Sequence, residues 1–399
     1  MTKDKVLDSE SSSDSPSVPG ICPPYPVIAC SIVFFWSISI RVFIFTVMPT
    51  IADDLHLSSS AAGLAISCVL LGYCTGNWVA GWSPLSRKST IVASMLIAML
   101  GAAMFSLARD FPTIMAAGCV LGLGTGIYLP LGLTLIMDSG GAERKGYYLS
   151  VHEVAASIGS FTGASIVALL LQWAGWPKLI LLWCCVGLAA TVIFTMMRDG
   201  GKRRKADDKV GAKVSISWKL VELVTVYAVC TLLVMGLVSL LPLIMVRAWG
   251  VSQVEAASLV GTTRLAGLMG VIVMGLFSDR LGHGRVLLCT QSFCLIGCSC
   301  MAVGGYGLLF QIGMAVMSFG ASANVGLIPA IIAGSYPAAQ RQRAMAVANS
   351  TGGLLGLVVS PALFGALLDF GYPIAPLFIS AAASAVMIFL THRLAAKVE

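Results

Sequence analysis

From Tyr25 to Leu390 the chain is a succession of apolar runs broken by charges, proline and glycine, each run about as long as the roughly 20 residues a helix needs to cross a bilayer. Only a helix or a closed barrel satisfies every backbone hydrogen bond within the hydrocarbon, where an unpaired group costs several kcal/mol. The composition points the same way. Of 399 residues, 57% are hydrophobic and 11% are charged, against about 25% charged in soluble domains. The chain is read as an all-α integral membrane protein.

The runs fall near 26–51, 60–82, 89–108, 112–138, 146–173 and 177–197, then near 218–247, 255–278, 286–304, 307–334, 343–368 and 373–391. This predicts 12 transmembrane helices in two pseudo-symmetric six-helix bundles, 25–197 and 218–393. Residues 1–24, rich in Ser, Pro and Asp, are expected to form a disordered cytosolic tail, 198–217 a basic cytosolic linker, and 394–399 a second short tail. Orientation follows from the basic residues, which stay on the cytoplasmic side. With both termini inside, all 25 Lys and Arg fall in cytoplasmic tails and loops except Arg109, Lys178 and Arg247, which lie outside, and Arg41 and Arg264, which lie within helices. The net charge of +7 is thus a topology signal beside anionic lipid and calls for no nucleic-acid partner. Nearly all of the 12 cysteines sit inside apolar runs and read as small core residues.

The halves are a weak repeat. ERKGYYLSVHEVAASIGSFTGAS, from Glu143, aligns with QRQRAMAVANSTGGLLGLVVSPA, from Gln340, so that Gly159 meets Gly356; Pro130 and Pro177 then meet Pro329 and Pro373 at nearly the same offset. Duplicated units of this kind characterise secondary transporters.

One stretch, GLFSDRLGHGR (275–285), gathers charge between two very apolar runs and reads G-x-x-x-D-R-x-G-x-x-R. It resembles the loop signature of the major facilitator superfamily, G-x-x-x-D-R-x-G-R-R/K, with one extra residue before the last Arg. The resemblance covers Tyr25 to about Arg393. It implies a loop after the eighth helix in which Gly275, Asp279, Arg280, Gly282 and Arg285 form a gate between the halves, with Gly282 and Gly284 allowing a tight turn. The equivalent first-half loop, GWSPLSRKS (81–89), keeps Arg87 and Lys88 but lacks the Asp and the second Gly. In the fourth helix, Gly118, Gly122, Gly124 and Gly126 offer small faces for close helix approach.

An ionisable group in mid-bilayer costs about 2.5 to 3.5 kcal/mol even on lenient scales and is a functional hypothesis by default. At 1.5 Å per residue, Arg41 lies roughly 18 Å from Asp53 and Arg264 roughly 22 Å from Asp279, so each half carries one cation near its midplane. Two such cations suit an anion held by charge-assisted hydrogen bonds; the alternative is that each satisfies internal carbonyls or a buried pair. Arg41, in RVFIFTVMPTIADDLHLS, has a spacing to Pro49 similar to the first helix of organic-anion, organic-phosphate and cyanate-permease-like branches, although Ile40 stands where anion-cation symporters often carry an acidic residue. Glu153, with His152 beside it and Ser157 and Ser160 on its face, could carry a coupling proton, or could pair internally with Arg41. Tyr128 and Asn324 are the polar groups expected to help bind substrate, and Glu222 is expected to pair with Lys219 at the interface.

No nucleotide-binding glycine loop, nucleophile constellation or metal-ligand cluster is present in the sequence, so no enzyme activity, cofactor or metal is expected. The resemblance implies a monomeric secondary transporter in the bacterial inner membrane, moving a small anionic solute, carboxylate-type for preference, with protons or a counter-substrate by alternating access. Proton-driven efflux of amphipathic compounds is the rival of the same class. A transport-dead sensor or scaffold is the rival of a different one.

Overall fold

A computed structural model describes residues 23–80, 83, 85–139, 145–197, 218–336, 347–348 and 351–398. The expected linker 198–217, the tail up to residue 22 and the side chain of Asp279 lie outside the described residues. Six helices make the first half: α1 (Tyr25–Asp54), α2 (Ser59–Val79), α3 (Arg87–Leu107), α4 (Phe111–Asp138), α5 (Lys145–Ala174) and α6 (Trp176–Thr195). In the second half, α7 runs from Trp218–Thr231 through a π-helical turn, Leu232–Leu237, into Val238–Trp249. It is followed by α8 (Gln253–Leu281), α9 (His283–Val303), α10 (Leu308–Ser335), α11 (Thr351–Asp369, with a π turn at Leu354–Val358) and α12 (Ala375–Val398). Eleven of these are long and apolar enough to span a membrane, and α10 adds the apolar stretch Leu308–Asn324.

Helix starts follow capping chemistry. Ser58, Ser86, Asp110 and Ser252 each accept a backbone N–H of the first turn, satisfying a donor that the helix itself cannot. Two boundaries differ from expectation. Residues 275–281 are the last two turns of α8, not a loop, and the chain reverses at Gly282 alone, whose φ of +86° favours glycine. Residues 394–398, expected as a tail, continue α12, because nothing in LAAKV breaks a helix.

The close packing comes from glycine. A Cβ on Gly122 would lie 2.0 Å from the Val69 carbonyl oxygen, and one on Gly126 2.1 Å from that of Tyr73, so the α4 and α2 backbones touch along this stripe. Gly124 faces the other way, 2.3 Å by the same measure from the Ala98 nitrogen of α3. Helices in lipid gain nothing by hiding apolar side chains from one another, so close backbone approach supplies their attraction.

The repeat is visible in these contacts. Gly163 of α5 packs on the Ser39 carbonyl of α1, while 197 residues on Ser360 of α11 packs on Gly236 of α7, with glycine and serine exchanged. Between the halves, Gly63 of α2 abuts the Pro361 carbonyl of α11, and Gly261 of α8 abuts Ala164 and Ser165 of α5, its counterpart by the same offset to within one residue. Thus α2 with α11 and α5 with α8 form the two matching seams, and α1 also meets α7.

At the end of the molecule where α1 finishes, the halves are latched. Asp53 and Arg247 form an ion pair at 2.6 Å. Gln253 donates through Nε2 to the Thr46 carbonyl at 2.5 Å, and the Ala362 N–H donates to Ser67 Oγ at 3.1 Å. Asp369, the last residue of α11, accepts the backbone N–H groups of Ser59 (2.9 Å) and Ser60 (2.7 Å) and the Ser60 hydroxyl. A carboxylate from one half therefore covers the positive end of a helix in the other.

Two outcomes follow from this packing. Gly122→Ala should cost about 1 to 3 kcal/mol by overpacking and lower the melting temperature of purified protein, whereas Gly275→Ala, whose Cβ would meet nothing within 4 Å, should melt at or above wild type. Asp369→Ala should loosen the latch, raising the population open at this end about 2- to 30-fold, the range for loss of a helix cap. A Ser67→Cys reporter, buried in the α2–α11 seam, should then react faster with a membrane-impermeant maleimide; an unchanged rate would show that Asp369 does not hold the seam.

Candidate functional site

Three ionisable residues lie on interior helix faces near the seams. Glycine contacts fix their relative heights. Gly159 on Phe35 and Gly163 on Ser39 set α5 parallel to α1, which puts Arg41 level with Ser165. Helix α8 begins at the latched end, where Gln253 meets Thr46, so it runs antiparallel to α5, and Arg264, three residues past Gly261, falls near the level of Phe161. Arg41 and Arg264, one from each half, are therefore separated by roughly 6 Å in height, and Glu153 lies roughly 18 Å below Arg41.

Arg41 is 3% exposed. Its guanidinium carbon stands 4.2 Å from the centre of the Tyr73 ring, and its Nε donates to the Ser37 carbonyl at 3.2 Å. The ring face offers partial negative charge, which steadies a cation in a dry setting. Tyr73 also stands near Tyr227 of α7, and Cys74 beside it faces Gly353 of α11, so this aromatic patch spans the two halves. Both second-half helices carry their π turns here, in mutual contact, with Thr231 reaching the Gly352 carbonyl at 3.4 Å. Such turns widen a helix and are frequent at functional positions.

Arg264 differs from Arg41. Exposed Thr262, Leu265, Met269, Ile272 and Leu276 mark the outer stripe of α8, and Arg264 lies off it, between the Gly261 contact with α5 and the Gly267 contact with Ser318 and Ser322 of α10. Its Nε is buried, and among the described residues it has no hydrogen-bond partner.

Glu153 occupies the interior face of α5, its side chain 38% exposed, and its nearest basic group is Nδ1 of His152 at 3.7 Å. The internal pair between Glu153 and Arg41 is not formed; the helix register holds them more than three turns apart. His152 and Tyr128 do not face open space in this conformation. Both are fully buried between α1, α4 and α5: the Tyr128 hydroxyl donates to the Cys30 carbonyl at 2.6 Å and lies 3.0 Å from His152 Nε2, and Phe34 stacks on the imidazole at 4.0 Å. Asn324 is likewise buried, accepting the Thr290 hydroxyl at 2.6 Å within the second half. Glu222 is buried, and the side chain of Lys219, its expected partner, lies outside the described residues.

Of the charged motif at 275–285, Arg280 is exposed, Gly275 has open space around it, Gly282 makes the turn, and Arg285 is exposed at the start of α9. In the first half, Lys88 donates to the Met197 carbonyl and so caps the end of α6. The latch residues Asp53, Arg247 and Asp369 escaped the sequence reading. Arg247 carried a signal, as a basic residue on the side where basic residues are rare; Asp369 carried none, because its partners are backbone groups some 300 residues away in sequence.

The comparisons with known proteins extend this picture. The chain is 24% identical over 397 residues to the gallate transporter of Pseudomonas putida, covering 88% of this chain and 87% of that one. It is 23% identical over 338 residues to the 3-(3-hydroxy-phenyl)propionate transporter of Escherichia coli K12, covering 80% and 81%. Among solved structures, a bacterial homologue of the human lysosomal transporter Spinster, in an inward-facing and unoccupied conformation, superposes with a TM-score of 0.73 over 93% of this chain and 98% of its own, at 14% identity. The sequence profile of the Major Facilitator Superfamily matches twice, over residues 27–226 and 223–397, one match to each half. With its helices, its repeat and nearly all of its length accounted for in this way, the chain is an integral membrane transporter and belongs to the Major Facilitator Superfamily.

Proposed function

We propose that the chain moves a small organic anion, carboxylate-bearing for preference, with proton coupling. The observation that carries the reading is Arg264, on an interior face of a membrane-spanning helix, whose buried Nε has no hydrogen-bond partner among the described residues. A cation in that position needs an anion or water to offset its desolvation. Arg41 stands at nearly the same height in the other half, held in place by Tyr73 and Ser37. A planar guanidinium can bind a carboxylate by two parallel hydrogen bonds, and an aromatic patch beside it suits a ring-bearing acid. The relatives that move gallate and 3-(3-hydroxy-phenyl)propionate support this substrate class.

In this reading two pseudo-symmetric bundles rock about a site between them, with both termini cytoplasmic in the plasma membrane. The latched end, at Asp53, Arg247 and Asp369, is then the outer end, and the conformation is closed to the outside. The motif at 275–285, with Asp279, Arg280 and Arg285, would lock the opposite end when the outer latch opens. Glu153, exposed on an interior face and roughly 12 Å below Arg264, could exchange a proton as the site turns.

Two measurements test this. Arg264→Lys keeps the charge but loses the planar fork, and affinity for a carboxylate ligand found by thermal shift should weaken by about 1 to 3 kcal/mol, roughly 5- to 150-fold. The screen compares gallate and 3-(3-hydroxyphenyl)propionate with phosphates and neutral analogues, since a ligand of the folded state raises its melting temperature by mass action. Unchanged affinity in well-folded Arg264→Lys and Arg264→Ala would remove the ground for an anionic substrate. Separately, Glu153→Gln should retain binding and exchange in proteoliposomes but lose accumulation driven by an imposed pH gradient; accumulation at the wild-type level would exclude Glu153 as the carrier.

A further inference from the structure

The buried cluster behind Glu153 has a hydrogen-bond arithmetic that assigns a proton. The Tyr128 hydroxyl has one hydrogen. Its 2.6 Å contact is with the Cys30 carbonyl oxygen, which can only accept, so the phenolic hydrogen is committed there. The 3.0 Å contact between the same hydroxyl and His152 Nε2 then requires the hydrogen to be on the imidazole, with the phenolic oxygen accepting. A neutral His152 is therefore the Nε2–H tautomer, and its Nδ1 bears a lone pair.

Among the described residues that lone pair has no hydrogen-bond partner; it is fully buried and lies 3.7 Å from Oε1 of Glu153. At 3.7 Å the two atoms are within ion-pair range but beyond hydrogen-bond distance, so a proton passes between them when the half-exposed Glu153 side chain closes by about 1 Å. We infer that Tyr128 is a positioning residue: by fixing the His152 tautomer it aims towards Glu153 a proton-accepting nitrogen to which the carboxyl group can pass its proton.

The step balances simply. When a protonated Glu153 closes to hydrogen-bond distance of Nδ1, its O–H bond breaks, an Nδ1–H bond forms, and a carboxylate faces an imidazolium. Exchange with water runs through Glu153, the exposed member, while His152 is sealed by Phe34 stacked at 4.0 Å and an interplanar angle of 7°. The titratable side chains about the imidazole are Tyr128 from α4, Cys30 from α1 and Glu153 from its own helix, with Tyr148 one turn away on α5. No basic side chain is among them within the described residues. The pair can therefore change charge without first breaking a salt bridge. In effect Tyr128, read from the sequence as a substrate ligand, acts one layer behind the carrier.

The consequence for transport rests on Glu153 being the proton carrier; the tautomer does not. Nitrogen-15 histidine spectra of the protein in lipid nanodiscs read the tautomer directly, in a background where His56, His283 and His392 are replaced by Gln so that His152 alone remains. The expected signature is the Nε2–H tautomer. An Nδ1–H tautomer in this otherwise native chain would overturn the inference, whatever the protein transports. In Tyr128→Phe the hydroxyl that accepts from Nε2–H is gone, so the spectra should show mixed tautomers. A single Nε2–H tautomer persisting in folded Tyr128→Phe would also overturn it. If instead the tautomer is as assigned and transport is indifferent to the pH gradient, the coupling role of Glu153 fails and the tautomer assignment stands.

Discussion

Everything in this molecule answers to the cost of leaving a polar group unsatisfied in hydrocarbon, several kcal/mol for each one. The backbone meets it by being helical almost without interruption. Hydroxyl side chains meet it locally: Thr75, Thr125, Thr191 and Ser384 each donate to the carbonyl four residues earlier on their own helix. Indole groups meet it across helices, with Trp36 donating to the Trp183 carbonyl and Trp183 to the Ser39 hydroxyl, both at 2.7 Å. Against that background an ionisable group with an unmet valence stands out. Arg264 Nε and His152 Nδ1 are two such atoms, and both lie where a solute or a proton could supply what is missing.

The same constraint shapes how the halves move. Since lipid offers helices no hydrophobic reason to associate, the seams are built from glycine and serine in backbone contact, and such surfaces slide or part at small cost. Polar latches then decide which end is closed. The latch here is reciprocal: the first half supplies Asp53 to Arg247, and the second supplies Asp369 to the start of α2. Both sit at the wet end of the molecule, where breaking a hydrogen bond is repaid by water. The opposite arrangement, charges latched at mid-depth, would strand each partner on opening.

The two buried arginines sit in surroundings that the repeat does not relate. They are not equivalent by the repeat, since at the same offset the partner of Arg41 is Val238 and that of Arg264 is Ser67. Arg41 is wrapped by an aromatic face and a carbonyl; Arg264 is left open. A duplicated scaffold has thus acquired a cation in each half independently, at similar height but in different surroundings.

The amino-acid sequence by itself determined the class and the plan: twenty-residue apolar runs leave no alternative to spanning helices, and the spacing of Gly159 with Gly356 and of the paired prolines exposes the duplication. It also singled out Arg41, Arg264 and Glu153, because charge in an apolar run is legible without any structure. Tertiary structure alone decided what each of these residues touches. Helical periodicity tells which residues share a face, but the register between two helices is set by which glycine meets which carbonyl, and no local pattern encodes that. Hence the separation of Arg41 from Glu153, the retreat of Tyr128 and Asn324 into interhelical contacts, and the capping of α2 by Asp369 all depend on contacts between residues far apart in the chain. The gate motif shows the same division on a small scale: its composition marked a turn, while the folded chain carried the helix on to Leu281 and made the turn with Gly282 alone.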